Sequence, residues 1–219
     1  MGKKVVEIKN LYKKYKDAVI LNKVNLELEE GKIYGIVGRN GSGKSMLFKT
    51  ICGLINPTEG EVKVFGEDIA NGNFPKNTGV IIEAPGFLPQ YSGFNNLKLL
   101  ASINNVATDE DIKKVIDLVG LNPEDKKPVK KFSLGMKQRL GIAQAIMEKP
   151  KLLILDEPMN GLDSSGVEDI RNLIKEYKST GVTIILSSHN KEDIEILCDE
   201  VFNMENGVLT SSKTEKSRN

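Results

Sequence analysis

The fold of this chain is decided by residues 38–45, which are Gly38-Arg39-Asn40-Gly41-Ser42-Gly43-Lys44-Ser45. They match the pattern G-x-x-x-x-G-K-[ST] at every fixed position. An apolar stretch at 32–37 precedes them, and a stretch of helical character at 44–52 follows. Glycines in such a turn let backbone N–H groups face a phosphate, and the helix adds the positive end of its dipole. The pattern therefore predicts a strand, a phosphate loop (residues 38–45) and a helix.

Two side chains of the phosphate loop have expected tasks toward a nucleoside triphosphate. Lys44 can reach the β- and γ-phosphates, and the hydroxyl of Ser45 can ligate Mg²⁺. We expect all eight residues of the loop to bind the nucleotide. On its own, the loop indicates a nucleotide and leaves open what is done with it.

A pair of carboxylates follows the apolar run Leu152-Leu153-Ile154-Leu155. The pair is Asp156 and Glu157, with Pro158 next. Ligands of an open α/β sheet bind at the C-terminal ends of its strands. Asp156 is suited to hold Mg²⁺ through water, and Glu157 to polarise a water for in-line attack on the γ-phosphate.

The rest of the chain alternates β-rich and helical stretches, which predicts a largely parallel α/β core in one domain, 1–219. Strand signals vanish between about 86 and 147, so a helical subdomain is expected to be inserted there. Predicted strands lie at 5–8, 26–28, 32–37, 61–65, 80–82, 152–155 and 182–186. Predicted helices lie at 44–52, from a Thr108–Asp111 capping box to 119, and at 133–150, 167–177 and 191–197. A hairpin around Asn206-Gly207 is predicted at 201–210, and 211–219 is expected to fray.

Composition restricts the function classes. Hydrophobic residues make up 39% and charged residues 28%, with a net charge of +1. These values are typical of a soluble globular protein. The nearly balanced charge gives no indication of nucleic-acid binding. The apolar runs fall far short of the ~20 residues that a membrane helix needs, and no signal peptide is evident. We expect a cytosolic chain in which Cys52 and Cys198 are reduced and at least partly buried.

A third motif gives the chain a family resemblance. The signature segment (residues 132–139) is Phe132-Ser133-Leu134-Gly135-Met136-Lys137-Gln138-Arg139. Together with the phosphate loop and the acidic pair, it resembles the ATPase subunits of ATP-binding-cassette transporters, whose signature is usually L-S-G-G-Q. The resemblance extends over about residues 9–209. It implies a P-loop NTPase core with a mostly parallel sheet, an antiparallel β subdomain and a helical insertion.

The resemblance carries further roles onto single positions. Tyr15 stands where the family places a ring that stacks on adenine, and such stacking contributes about 1–3 kcal/mol. Met46 replaces a serine next to the phosphate loop and completes the predicted nucleotide site. His189, the one histidine of the chain, matches a histidine that contacts the γ-phosphate. Asp163 ends the dimer loop (residues 160–163), through which two cassettes communicate.

The signature segment also implies partners. In this family the residues matching Ser133 and Gly135 close over the ATP of the opposite subunit, so two cassettes sandwich two ATP molecules. We therefore expect a second cassette, identical or not, and a separate membrane-spanning permease, with this chain peripheral on the inner face of the cell membrane. Leu134 and Met136 depart from the family pattern, but the serine and the second glycine are kept.

Glu83 is the departure that bears on the subfamily. Most members have glutamine there, whereas the segment Ile81-Ile82-Glu83-Ala84-Pro85-Gly86-Phe87 looks like bacitracin-type and lantibiotic-immunity exporters. A carboxylate beside a triphosphate is repelled unless a cation lies between them. We therefore predict that Glu83 lies within water-mediated reach of Mg²⁺.

Three other functions compete with this interpretation. A soluble cassette acting on DNA or ribosomes would carry a coiled-coil insertion, zinc-ligand cysteines or two cassettes, which are absent from the sequence. A nucleotide kinase would share only the phosphate loop. A non-catalytic cassette would be expected to lack Glu157 or His189.

Overall fold

The structure is a computed structural model that describes residues 2–70 and 72–212. Its strands, in chain order, are β1 (Lys4–Tyr15), β2 (Ala18–Glu29), β3 (Ile33–Val37), β4 (Glu59–Val64), β5 (Glu67–Asp68), β6 (Thr78–Ile81), β7 (Leu152–Asp156), β8 (Thr183–Ser187), β9 (Glu200–Glu205) and β10 (Val208–Ser212). Its helices are α1 (Lys44–Ile51), α2 (Gly93–Asn104), α3 (Asp109–Leu118), α4 (Leu134–Ile146), α5 (Ser164–Ser179) and α6 (Lys191–Leu197), with a 3₁₀ turn at Val129–Lys131.

The central sheet has six strands in the order β10-β9-β3-β8-β7-β6. All its neighbours pair in parallel except β10 and β9. Every residue of β7 and β8 is buried, as expected of parallel strands that are covered on both faces and therefore read as apolar runs. The predicted parallel core is confirmed. Its C-terminal edge brings the ends of β3, β7 and β8 together.

A second sheet is antiparallel, in the order β2-β1-β4-β5. Its strands β1 and β2 have 12 residues each, so the strands predicted at 5–8 and 26–28 were too short. The pairing of β1 with β2 shifts register several times, and Lys16 and Lys23 have φ of 51°. Such bulges interrupt the strict apolar alternation by which a strand is recognised in sequence.

Helices α2, α3 and α4 lie between β6 and β7 along the chain and share apolar side chains such as Leu97, Ile116 and Leu140. The Thr108–Asp111 capping box is confirmed, since each side chain accepts the other residue's backbone N–H, at 3.1 and 3.0 Å. Predicted helix bounds differ at some ends. Helix α4 stops at Ile146 instead of 150, and α5 starts at Ser164 instead of 167.

The predicted C-terminal hairpin is confirmed, with Asn206 and Gly207 at φ of 47° and 78° between β9 and β10. Left-handed conformations at both positions match the twist that a two-residue hairpin needs. Of the segment expected to fray, Ser211 and Ser212 belong to β10. Residues 213–219 lie outside the described part.

The two cysteines are free and buried. Burial raises the pKa of the Cys52 thiol, and likewise that of Cys198, to about 12. Both thiols are therefore protonated and unreactive near neutral pH. Over the described ranges, no helix combines the length and the apolar character needed to cross a membrane.

Candidate functional site

The phosphate loop joins the end of β3 to α1 with backbone conformations that favour glycine. Gly41 and Gly43 have φ of 79° and 114°. Gly43 is the N-cap of α1 and offers no side-chain acceptor, although the first N–H groups of a helix lack partners within it. A Cβ at Gly43 would lie 3.1 Å from the carbonyl oxygen of Ile20. The start of α1 is therefore left available to an anion.

Lys44 and Ser42 complete the polar lining of the loop. The Lys44 ammonium donates to the carbonyls of Gly38 and Arg39, at 2.7 and 3.3 Å, and lies over the turn. Within the described residues, the Ser42 hydroxyl is buried without a hydrogen-bond partner. Orphaned buried polar atoms are rare in folded proteins. Uncapped N–H groups, a buried lysine and a free hydroxyl together fit the phosphates of a nucleotide.

Asp156 lies at the end of β7, where its carboxylate is fixed by two serines. Ser45 at the start of α1 donates to one carboxylate oxygen, and Ser187 at the end of β8 to the other, each at 2.6 Å. Asp156 is only 8% exposed. A serine hydroxyl and a carboxylate are hard oxygen donors of the kind that Mg²⁺ uses beside substrate phosphates. The predicted pair thus meets in a position suited to that metal.

Glu157 follows with an unusual backbone, since its φ is 51°. Its N–H donates to the Ser187 hydroxyl at 2.9 Å, and its carbonyl accepts from the Gln138 amide at 3.2 Å. Left-handed conformations of non-glycine residues persist where surrounding contacts impose them, often at active sites. Gln138, from the signature segment, and Ser187 therefore hold the backbone from which the Glu157 side chain extends.

His189 contacts Glu157 directly. Its Nδ1 lies 2.8 Å from Glu157 Oε2, and its backbone N–H donates to the same oxygen at 3.2 Å. The His189 side chain is 74% exposed, against 22% for Glu157. The structure therefore brings the predicted base and the predicted histidine together, although they are 32 residues apart in the chain.

These groups line adjoining clefts beside the phosphate loop. One cleft, of about 380 Å³, includes Met46 with Lys44, Ser45, Asp156 and Glu157 among its walls. A second, of about 470 Å³, is bounded by residues 38–42 and 203–206. A larger groove, about 700 Å³ near Phe74, contains none of the predicted site residues. Volume alone therefore does not locate the chemistry, and the polar groups do.

The signature segment and the dimer loop lie against each other. Ser133 is the N-cap of α4 and accepts the N–H of Met136 at 3.1 Å. Asp163 is the N-cap of α5 and accepts the N–H of Gly166 at 3.0 Å. A Cβ on Gly135 would lie 2.7 Å from the Gly161 carbonyl oxygen, so glycine is required for this approach. Ser133, Gly135 and Asp163 thus share one surface.

Tyr15 and Glu83 lie apart from this network. Tyr15 ends β1, is half exposed, and has the Lys13 ammonium 4.8 Å from its ring centroid. Glu83 has φ of 61° and pairs with Lys49 of α1 at 2.6 Å. No hydrogen bond joins Glu83 to Ser45 or Asp156 in the residues that the structure describes. Its approach to Mg²⁺ stays a prediction, as does stacking on Tyr15.

The contacts of Ser187, Gln138 and Lys49 were not predicted from the sequence. Ser187 lies two residues before His189, at the end of β8, and Gln138 lies inside the signature segment. For these two residues the motifs themselves were the available signal, whereas Lys49 lies outside them. Spacing along the chain could not show which carboxylate or carbonyl each one meets.

In a comparison with protein families, residues 21–160 of this chain match the ABC transporter family. The chain is 48% identical over 210 residues to the uncharacterized ABC transporter ATP-binding protein YybJ of Bacillus subtilis (strain 168), covering 95% of this chain and 96% of the relative. It is 42% identical to the bacitracin transport ATP-binding protein BcrA of Enterococcus faecalis, covering 94% and 68%. It is 40% identical to the lantibiotic transport ATP-binding protein SrtF of Streptococcus pyogenes, covering 98% and 93%.

Solved structures resemble the fold closely. The ATP-binding cassette MJ0796, a dimer in a post-hydrolysis state bound to ADP and Pi, superposes with a TM-score of 0.86 at 23% identity. The match covers 94% of this chain and 97% of that one. At this identity the likeness concerns the fold. It includes the mostly parallel sheet, the antiparallel sheet and the helices described above.

Proposed function

From the premise that this chain belongs to the ABC transporter family as an ATP-binding and ATP-hydrolysing subunit, we propose how its residues share that task. The contact network that joins Ser45, Asp156, Glu157 and His189 carries the proposal. It places an oxygen-donor pair beside the phosphate loop and a carboxylate with its histidine next to that pair. Membership of the ABC transporter family excludes the alternative that this chain is a nucleotide kinase.

ATP would bind with its phosphates against the loop at 38–45 and its adenine on Tyr15. Lys44 would release its two loop carbonyls and donate to the β- and γ-phosphates. Ser45 and Asp156 would hold Mg²⁺, which when bound neutralises phosphate charge and orients the triphosphate. The hydrogen bond from the Ser187 hydroxyl would hold the Asp156 carboxylate aimed at this position.

Glu157 would act as the general base. Its carboxylate would accept a proton from the attacking water, while His189 would donate a hydrogen bond to the γ-phosphate. The contact between the two residues supports this division, because it places both groups side by side at the C-terminal edge of the central sheet. The left-handed backbone of Glu157 favours one direction for its carboxylate.

We propose that the catalytic unit is a dimer in which Ser133 and Gly135 of each chain close over the ATP of the other. The N-terminal end of α4 would present N–H groups and the positive helix dipole to the γ-phosphate. Asp163 and the rest of the dimer loop would transmit the closure of the dimer from one cassette to the other. The dimeric arrangement of the fold relative MJ0796 supports this assembly.

The other partner would be a membrane permease, with the cassette on the cytoplasmic face of the membrane. We propose that the helices between β6 and β7 form a helical subdomain at about 86–147 that meets this permease. The exported class would be antimicrobial peptides, by analogy with the bacitracin transport protein BcrA and the lantibiotic transport protein SrtF. Nucleic acid is not an expected ligand, given the net charge of +1.

ATPase activity measured against protein concentration tests the shared site. Two half-sites on different chains predict that turnover per chain rises with concentration and then levels off. A constant turnover at all concentrations, from a protein shown to be monomeric, would contradict the dimer. For the exported class, deletion of the gene is expected to raise sensitivity to bacitracin or a lantibiotic. Complementation with Glu157→Gln should not restore resistance.

A further inference from the structure

A buried ion pair connects α5 with α6 behind the His189 turn. Arg171 donates from Nε and Nη2 to Asp193 Oδ1, at 2.9 and 2.6 Å. The two side chains are 5% and 2% exposed. Glu168 and Glu192, which are both exposed, also pair with the guanidinium. Arg171 is therefore neutralised from several sides inside the protein.

Such a pair is not explained by stability alone. Removing two charges from water is costly, and apolar residues of similar volume often stabilise a core as well or better. Buried charged residues are also uncommon unless they are paired. The pair therefore calls for a role that depends on direction, which an apolar contact does not provide.

The second carboxylate oxygen of Asp193, Oδ2, is connected by hydrogen bonds to the residues on either side of His189. Asp193 Oδ2 accepts from the Ser188 hydroxyl at 2.8 Å, and the same hydroxyl accepts from the backbone N–H of Asn190 at 3.1 Å. Ser188 and Asn190 are the two neighbours of His189. The Ser188 hydroxyl thus links both neighbours of His189, Ser188 directly and Asn190 through that hydroxyl, to a carboxylate that Arg171 fixes.

His189 itself has little else to hold it. Its side chain is 74% exposed, and its hydrogen bonds in the described structure both go to Glu157 Oε2. An exposed side chain with one partner keeps its direction only if its backbone is fixed. We propose that Arg171 and Asp193 are positioning residues that hold the 188–190 turn, so that His189 stays within hydrogen-bond distance of Glu157. The inference rests on the proposed function of Glu157 and His189.

The single histidine of the chain makes this testable without an activity assay. In a tag-free protein, the His189 ring gives the only imidazole signals in an NMR spectrum. Two variants distinguish an effect on the position of the His189 ring from an effect on folding. Arg171→Met with Asp193→Leu replaces the pair by apolar groups, and Ser188→Ala leaves the pair intact but removes its link to the turn.

Lys178→Met is the matched control. Lys178 is also on α5, and it pairs at 2.6 Å with Asp199, just beyond α6. This variant removes one α5 cation and its ion pair without touching the 188–190 turn. Thermal unfolding of all variants shows whether each is folded before the ring signals are compared.

We expect both test variants to shift and broaden the His189 ring signals, while Lys178→Met leaves them unchanged. We expect kcat to fall about 10- to 100-fold at a KM for ATP within a few-fold of the original, because small misplacements of catalytic groups cost up to roughly 10²-fold. Ring signals of both folded variants that match those of Lys178→Met would overturn the proposal. If the double variant does not fold, Ser188→Ala decides alone.

The proposed function of the site and the positioning role of the ion pair are contradicted by different results. If Glu157→Gln or His189→Ala hydrolyses ATP normally, the proposed function of the site is wrong, and the ring signals still report whether the ion pair positions the turn. If the ring signals do not respond while Glu157→Gln is inactive, the site stands and the positioning inference falls.

Discussion

The phosphate loop and the signature segment are both helix N-termini, yet the chain treats them differently. Around the phosphate loop, Lys44 and Asp156 are each 8% exposed and bonded within the chain. At the signature segment, Leu134 is 66% exposed, and Ser133 caps its own helix. The phosphate loop and its partners are held together by contacts within the chain, whereas the signature segment is exposed to solvent. This contrast is what a site shared between two chains requires.

Lys44→Ala should have the largest effect, because it removes the cation from the region that the fold assembles. Both MgATP binding and turnover are expected to be lost. Fluorescent-nucleotide titration and phosphate release measure the two quantities. Lys175→Ala, which removes an exposed lysine of α5 outside the proposed nucleotide site, is the control. Near-normal turnover in Lys44→Ala would contradict the assignment of residues 38–45 as the site that binds the phosphates of ATP.

Glu157→Gln should retain ATP binding and lose chemistry. The amide keeps the length of the side chain but cannot accept the proton, and a lost general base slows catalysis by about 10²–10⁴-fold. The ATP-bound variant is expected to accumulate as a dimer on size exclusion. A variant that stays monomeric and active would place the base on another residue.

Ser133→Arg tests the exposed region alone. Nucleotide binding by the separate chain should be unchanged, since the phosphate loop is untouched. Turnover is expected to fall roughly 10²-fold, the order seen when one transition-state donor is lost. Equilibrium binding and steady-state turnover, measured on the same preparation, show whether the two properties separate.

Mixing Ser133→Arg with Lys44→Ala sharpens the contrast between the two regions. In a homodimer, one of the two composite sites of a mixed pair combines an intact phosphate loop with an intact signature segment. Partial recovery of turnover on mixing is therefore expected. Mixed dimers that are proven by mass spectrometry and yet remain inactive would count against the shared site.

Glu83→Gln should give the smallest effect. Its ion pair with Lys49 is partly exposed, and such pairs contribute about 0–1 kcal/mol. ATP affinity should stay within a few-fold, while the Mg²⁺ dependence of hydrolysis and the coupling to export change. Lys49→Met is the matched control, because it breaks the same pair and leaves the carboxylate. Equal Mg²⁺ titrations for both variants would show that Glu83 acts only through Lys49.

The sequence predicted the parts of the fold that depend on local chemistry. The phosphate loop, the parallel core, the C-terminal hairpin and the Thr108 capping box are each encoded in a few adjacent residues, and the structure has all four. The bounds of β1 and β2 were missed because they depend on pairing register. A bulge is decided by the partner strand and leaves little trace in a single segment.

The candidate site was predictable to a similar extent. Residues were assigned to it from motifs, and the structure brings Ser45 to Asp156 and His189 to Glu157. The contacts of Ser187, Gln138 and Lys49 were not predictable, because each depends on which elements become neighbours. The Arg171–Asp193 pair is similar, since nothing in α5 alone indicates a buried carboxylate across from it.

The left-handed backbone of Glu157 has a consequence for how such cassettes can change over generations. At φ of 51°, asparagine, aspartate and glycine are tolerated, whereas valine and isoleucine are strained. A duplicated gene that loses catalysis at this position is therefore expected to drift toward small polar residues first. Such a sister chain would keep its shape, still pair with an active copy, and give an asymmetric transporter with one working site.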